Sequence, residues 1–270
     1  MTIADRHNVT VSGVADGPPM LFAHGFGCDQ NMWRGVVPRF AATHRCILFD
    51  HAGAGHADPD TYDVDRHSSL DGYAIDVIDL CDDLGLRDVV FVGHSVSAMI
   101  GVLASIRRPD LFAHLVLVGP SARYIDDGDY VGGFTEDDIE GLLDSLDSNY
   151  LGWSAQMAPM IMGNDDRPEL GHELTESFCR ADPDIQRRFA RVTFTSDNRD
   201  DLTSVQTPCL VLQCRNDIIA AEPVGRYVHD HLPTSEFVLL DASGHCPNLS
   251  APDETADAIH AYLAGDSPSA

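Results

Sequence analysis

Six short, almost unbroken apolar runs punctuate the chain: Met20–Ala23, Cys46–Phe49, Val89–Val92, Leu115–Val118, Cys209–Cys214 and Phe237–Leu240. Each has the length of a strand and is apolar at successive positions, as a strand covered on both faces requires. Between them lie helix-length segments, of which Tyr73–Leu84 alternates apolar and acidic residues at helical spacing. Strands alternating with helices predict a mostly parallel, twisted sheet with helices on both faces. From about Arg123 to Val205 the strand pattern stops. Gly132-Gly133, Gly163-Asn164, Pro168 and Pro183 cut this stretch into helix-like pieces. The expected organisation is a core of residues 1–122 and 200–270, with an all-helical cap, 123–199, inserted between the sixth and seventh strands. There is no internal repeat, and only the tail Gly265–Ala270 reads as low-complexity and frayed.

The chemistry sits where these runs end. Gly93-His94-Ser95-Val96-Ser97 follows the strand Val89–Val92 and precedes a run of small and apolar residues, Ala98–Ala104. A serine between a strand and a helix matches the nucleophile elbow, a strained turn that lifts the hydroxyl clear at the positive end of the helix. The usual pattern is G-x-S-x-G; Ser97 replaces the last glycine and keeps that position small. His245, in Ser243-Gly244-His245-Cys246-Pro247, follows the strand Phe237–Leu240 and is the candidate base. Asp217 follows Cys209–Cys214 and is the candidate orienting acid, with Ile218 and Ile219 expected to shield it. Asp241 and Asp50 also end strands and are rivals for that role. In this scheme His245 takes the Ser95 proton and Asp217 holds the imidazole tautomer. His24-Gly25-Phe26-Gly27 follows the first run and reads as an oxyanion loop, the backbone N–H groups of Phe26 and Val96 being the expected donors. His24 itself reads as a loop-packing residue.

The stretches His24–Gln30, Gly93–Gly101 and Gly244–Pro247 resemble α/β-hydrolases of the group that includes RsbQ, a bacterial stress-response regulator, and the plant karrikin and strigolactone receptors. Phe49-Asp50, Gly53-Ala54-Gly55, Leu70–Tyr73, Arg108–Phe112 and Gly132-Gly133-Phe134 extend the likeness, which runs from about residue 6 to residue 263. The order Ser95, Asp217, His245 is also the order of α/β-hydrolases. The resemblance implies an α/β-hydrolase fold with a helical lid and a serine hydrolase acting on a small, mainly apolar ester, lactone or butenolide. It also implies that signalling through a regulatory protein partner, such as a phosphatase, is an alternative to turnover. Phe26, Phe134, Trp153, Met157, Phe194 and Ile218 are the expected pocket lining. Met157 stands where some relatives carry an aromatic, and Asn248 where histidine is common. C–C bond hydrolysis on the same elbow is a further alternative; epoxide and haloalkane chemistry needs an aspartate where Ser95 stands.

Composition narrows the classes further. The formal net charge is −26, with 43 acidic residues against 17 basic ones. All the basic residues are arginine, so Schiff-base chemistry on lysine is excluded. Such a surface repels nucleic acid and anionic membrane, and is compatible with a saline cytoplasm. The seven cysteines lie mostly in apolar runs and show no C-x-x-C spacing. Cys46, Cys209 and Cys214 read as core, and Cys28 and Cys246 as the thiols nearest the site. No cofactor or metal is implied. The expectation is a soluble, cytoplasmic monomer without a leader or a membrane span.

Overall fold

The computed structural model describes residues 2–265; beyond Gly265, the tail read as frayed lies outside the described residues. A short helix α1 (Ile3–Arg6) precedes strands β1 (Thr10–Gly13), β2 (Pro19–Ala23) and β3 (Arg45–Leu48). Then come α2 (Leu70–Asp83), β4 (Val89–His94), α3 (Val96–Arg107) and β5 (Phe112–Val118). Helices α4 (Glu136–Ser148), α5 (Tyr150–Met162), α6 (Pro168–Arg180) and α7 (Pro183–Thr195) follow without an intervening strand. The described chain closes with β6 (Cys209–Asn216), α8 (Glu222–His231), β7 (Ser235–Ser243), α9 (Pro247–Ser250) and α10 (Pro252–Ala264).

The strands form one sheet in the order β1-β3-β2-β4-β5-β6-β7. All neighbours are parallel except β1, which runs antiparallel to β3. Alternation along each strand sends side chains to opposite faces. Met20, Phe22, Val90, Val92, Val116 and Val118 enter one core cluster, closed by α10 through Ile259 and Tyr262 and continuing among helices α4 to α7. Leu21, Ala23, Phe91, Leu115 and Leu117 enter the other, closed by α2 and α3 through residues such as Val77 and Ile100. Both faces of the central strands are covered, which is why those strands read as unbroken apolar runs, whereas β7 at the edge is mostly only partly buried.

Two expectations change. β1 carries no apolar run, since all four of its residues are exposed, and it joins the sheet only through its backbone pairing with β3. The helical insertion falls between β5 and β6, one strand earlier than expected. Only one edge strand precedes Met20–Ala23, because the polar N-terminal segment coils into α1 instead of adding another. The inserted helices leave and return at one point. Asn198 N–H donates to the Ala122 carbonyl at 2.8 Å, and Arg123 pairs with Asp197 at 2.6 Å.

Candidate active site

The sheet order reverses at β2, whose neighbours are β3 on one side and β4 on the other. Open parallel sheets bind ligands beyond the carboxyl ends of the strands at such a switch point. Here those ends are level, Ala23 lying beside Gly93. The loop after β2 and the turn after β4 therefore meet, and Ser95 is on that turn. Its φ of 56° and ψ of −123° place a non-glycine residue in a sparsely populated region, a strain of about 1–3 kcal/mol. The Ser95 N–H to Val118 carbonyl bond, 2.8 Å, and the packed helix α3 hold that conformation.

His245 and Asp217 arrive from β7 and β6. His245 Nε2 is 2.8 Å from Ser95 Oγ, and its Nδ1 is 2.7 Å from Asp217 Oδ2. A carboxylate oxygen only accepts, so the ring proton is on Nδ1 and Nε2 is free to accept from the serine hydroxyl. The other Asp217 oxygen accepts from the backbone N–H groups of Ile219 and Ala220 at 2.8 and 3.0 Å. The carboxylate is therefore sealed from water and fully bonded. Of the rivals, Asp241 is exposed and paired with Arg215. Asp50 is buried but holds Asn8 Nδ2 and the backbone N–H groups of Gln30 and His56.

The loop after β2 is pressed against the serine. A Cβ on Gly25 would lie 2.5 Å from His94 Nδ1 and 3.3 Å from Ser95 Cβ, so only glycine lets the loop come this close. Gly27 has φ +70°, and a side chain there would run into the Phe178 ring. Among the described residues, neither the Phe26 nor the Val96 amide has a backbone acceptor. Val96, directly after Ser95, is buried, and Phe26, on the loop after β2, is partly buried. His94 is wholly buried and its Nε2–H donates to the His245 carbonyl at 2.8 Å. Burial, and then the neighbouring His245, push its pKa down to about 3, so it stays neutral.

Above these groups lies a tight apolar cavity with a free volume of about 30 Å³, so a ligand larger than a few atoms enters only as the lining side chains move. Phe26, Trp153, Met157 and Phe194 are among the residues that line it. The Phe26 ring sits 6.3 Å from Trp153, 5.8 Å from Phe178 and 6.0 Å from Phe194. Ile218 does not line the cavity. It is 52% exposed, and Ile219, on the opposite side of the chain, takes its place. Phe134 is also not in the lining; it packs, partly buried, against the core, its backbone tied to Tyr124 and Asp126. Asn248 lies outside the cavity and donates to the Met32 carbonyl at 3.0 Å.

Sequence reasoning missed Tyr124 and Phe178. Tyr124 lies just past the carboxyl end of β5, the one signal that pointed to it. Its hydroxyl is buried toward Ser95 without a hydrogen-bond partner among the described residues, and burial raises its pKa to about 12. Cys28 and Cys246 do line the cavity, but both are buried and their thiols are pushed up by desolvation. Among the described residues no cluster of His, Cys, Asp or Glu side chains is arranged to hold a metal ion, and no helix is long and apolar enough to cross a membrane.

Residues 20–258 match the model of the alpha/beta hydrolase family. The chain belongs to that family. It is 39% identical over 252 residues to a probable esterase of Oryza sativa, with 93% of each chain covered. It is 39% identical over 262 residues to the strigolactone esterase of Arabidopsis thaliana, with 97% of each covered. A karrikin insensitive 2 receptor of Petunia hybrida is 39% identical over 252 residues, 93% of each chain. Among solved structures, a hydrolase from Oleispira antarctica superposes with a TM-score of 0.94 at 37% identity, covering 97% of this chain and 96% of that one. This alpha/beta hydrolase thus groups with esterases and receptors of the kind the sequence resembles.

Proposed function

We propose that this alpha/beta hydrolase is a serine esterase or lactonase for a small, mainly apolar ester or butenolide-type ligand. Residues 123–199 act as its lid. The observation that carries the reading is the pair of contacts at His245: 2.8 Å to the serine oxygen and 2.7 Å to a sealed carboxylate.

In this mechanism the Ser95 oxygen attacks the ligand carbonyl carbon while His245 Nε2 takes its proton. The carbonyl π-electrons move onto oxygen, and the Phe26 and Val96 amides hold the resulting oxyanion. Asp217 offsets the charge on the imidazolium. Collapse expels the alkoxide, which takes the proton back from His245 and leaves an acyl group on Ser95. Water, deprotonated by His245, then releases the acid. The apolar walls favour ligands whose only strongly polar group is the reacting carbonyl. Ser95→Ala should abolish turnover of p-nitrophenyl acetate above the uncatalysed rate, and full activity in that variant would remove this mechanism.

A second reading has a specific observation in its favour: relatives of equal similarity are named receptors as well as esterases. On that reading the same cavity senses a ligand, and the occupied lid meets a regulatory protein partner, with little turnover. A butenolide that raises the melting temperature, is hydrolysed slowly and promotes capture of a partner would favour it. Fast turnover of one metabolite without a captured partner would favour the plain enzyme.

A further inference from the structure

Glycine would suffice at position 97 to let α3 pass the strand, yet the residue is serine and is fully buried. A buried hydroxyl is costly unless bonded, so its partners show what it does. Ser97 Oγ reaches two groups, the His24 carbonyl oxygen and His51 Nε2, the latter at 2.7 Å. A carbonyl only accepts, so the Ser97 proton goes to His24. His51 must then donate from Nε2, which leaves its Nδ1 bare, and that atom has no partner among the described residues. The His51 backbone N–H in turn donates to His24 Nε2 at 3.1 Å. His24 therefore carries its proton on Nδ1, which donates to the Gly25 carbonyl at 2.9 Å. Each proton in this circuit is dictated by a backbone group.

The circuit ends on the Gly25 carbonyl, which belongs to the same planar unit as the Phe26 N–H. In a trans peptide the two point in opposite directions. Holding the oxygen therefore aims the N–H, and polarises it into a stronger donor. Rotation of that peptide is set by ψ of Gly25, the freest kind of residue, and φ of Phe26, and besides the His24 ring only the Cys28 N–H, at 3.3 Å, is bonded to its oxygen among the described residues.

We propose that Ser97 and His51 are positioning residues for the oxyanion site, acting through His24 on the Gly25–Phe26 peptide. The proposal rests on the serine-hydrolase reading above. Burial keeps both imidazoles uncharged, the His24 pKa being lowered and the His51 pKa lowered further by its neighbour His24. The network therefore keeps one arrangement through the neutral range.

The test compares Ser97→Ala, His51→Leu and His51→Gln, whose amide can still donate to Ser97, with the parent protein. Turnover of p-nitrophenyl acetate is normalised to active sites titrated with a phosphonate, and affinity is measured for a boronic acid that mimics the tetrahedral intermediate. Losing an oxyanion donor outright costs roughly 100- to 1000-fold, so mis-aiming one should lower kcat by about tenfold or more. KM should stay within about twofold. Boronate affinity should fall in step with kcat, and His51→Gln should recover most of both. Parental kcat per active site in Ser97→Ala and His51→Leu, or a loss with unchanged boronate affinity, overturns the proposal. Ser95→Ala separates the two failures: if it is inactive while Ser97→Ala is unaffected, only the positioning role falls. Should the variants fail to fold, nitrogen-15 spectra of the parent protein decide. The proposal requires the Nδ1–H tautomer at His24 and the Nε2–H tautomer at His51, and the reverse assignment sinks it.

Discussion

Gly25→Ala isolates the oxyanion loop from the rest of the site. The added methyl would lie 2.5 Å from His94 Nδ1, 3.1 Å from His94 Cε1 and 3.3 Å from Ser95 Cβ. An ordinary contact needs at least about 3.4 Å, so roughly an ångström must be found at the first of these. The His94 ring cannot supply it cheaply, because it is buried and tied to the His245 carbonyl. The loop must therefore back away from the serine, carrying the Phe26 amide with it. Overpacking of this kind costs about 1–3 kcal/mol. For a chain of this size that lowers the melting temperature by about 2–4 °C per kcal/mol. A folded variant is expected. Catalysis should suffer more, since a donor moved out of range approaches the loss of that donor, roughly 100- to 1000-fold in kcat. Steady-state hydrolysis of p-nitrophenyl acetate below the melting transition measures this. A folded Gly25→Ala protein with parental kcat would mean that the loop after β2 does not hold the oxyanion.

Asp217→Asn should keep the packing but remove the acceptor that sets the His245 tautomer, lowering kcat by about 10,000-fold. An equal effect from Asp241→Asn would point to the wrong acid. The cysteines should split by burial: at pH 8 iodoacetamide should label the native protein at the exposed Cys179, with Cys46, raised to about 11, Cys81 and Cys209, raised to about 12, and the cavity thiols protected. Mass spectrometry of the native protein reads this directly, and rapid labelling of Cys28 or Cys246 would contradict their burial. Stability should fall with acid well before the carboxylates titrate. His24, His51 and His94 are held neutral below their usual pKa, so the unfolded chain binds protons that the folded one refuses. That stability is intact above about pH 6.5 and is lost as pH falls, at up to about 1.4 kcal/mol per pH unit for each histidine. For His94 the loss continues toward about pH 3. Urea unfolding at pH 7.5 and 5.5 measures it, and equal stabilities would show that these histidines ionise freely in the folded state.

What the sequence reveals here depends on whether a residue's role follows from its own strand or from a neighbour brought in by the fold. Ser95, Asp217 and His245 each follow an apolar run, so the carboxyl edge of a parallel sheet gathers them without further information. The backbone of β1 and the Tyr124 side chain belong to the other case. β1 is a strand only because β3 offers it an unpaired edge, and Tyr124 reaches Ser95 only because the chain turns over the sheet after β5. Ile218 and Ile219 show the limit most sharply. Neighbouring residues in extended chain face opposite ways, so nothing in the pair itself says which enters the cavity. The turn that lets the Ile219 and Ala220 amides bind Asp217 decides it, putting Ile219 inside and Ile218 in water. Ser97 carries the same lesson in reverse. As a departure from glycine it looked like a tolerated small residue, because its partners come from loops after β2 and β3 that are distant in sequence. Only when those carbonyl and imidazole groups are placed around the hydroxyl does the substitution acquire a chemical reason.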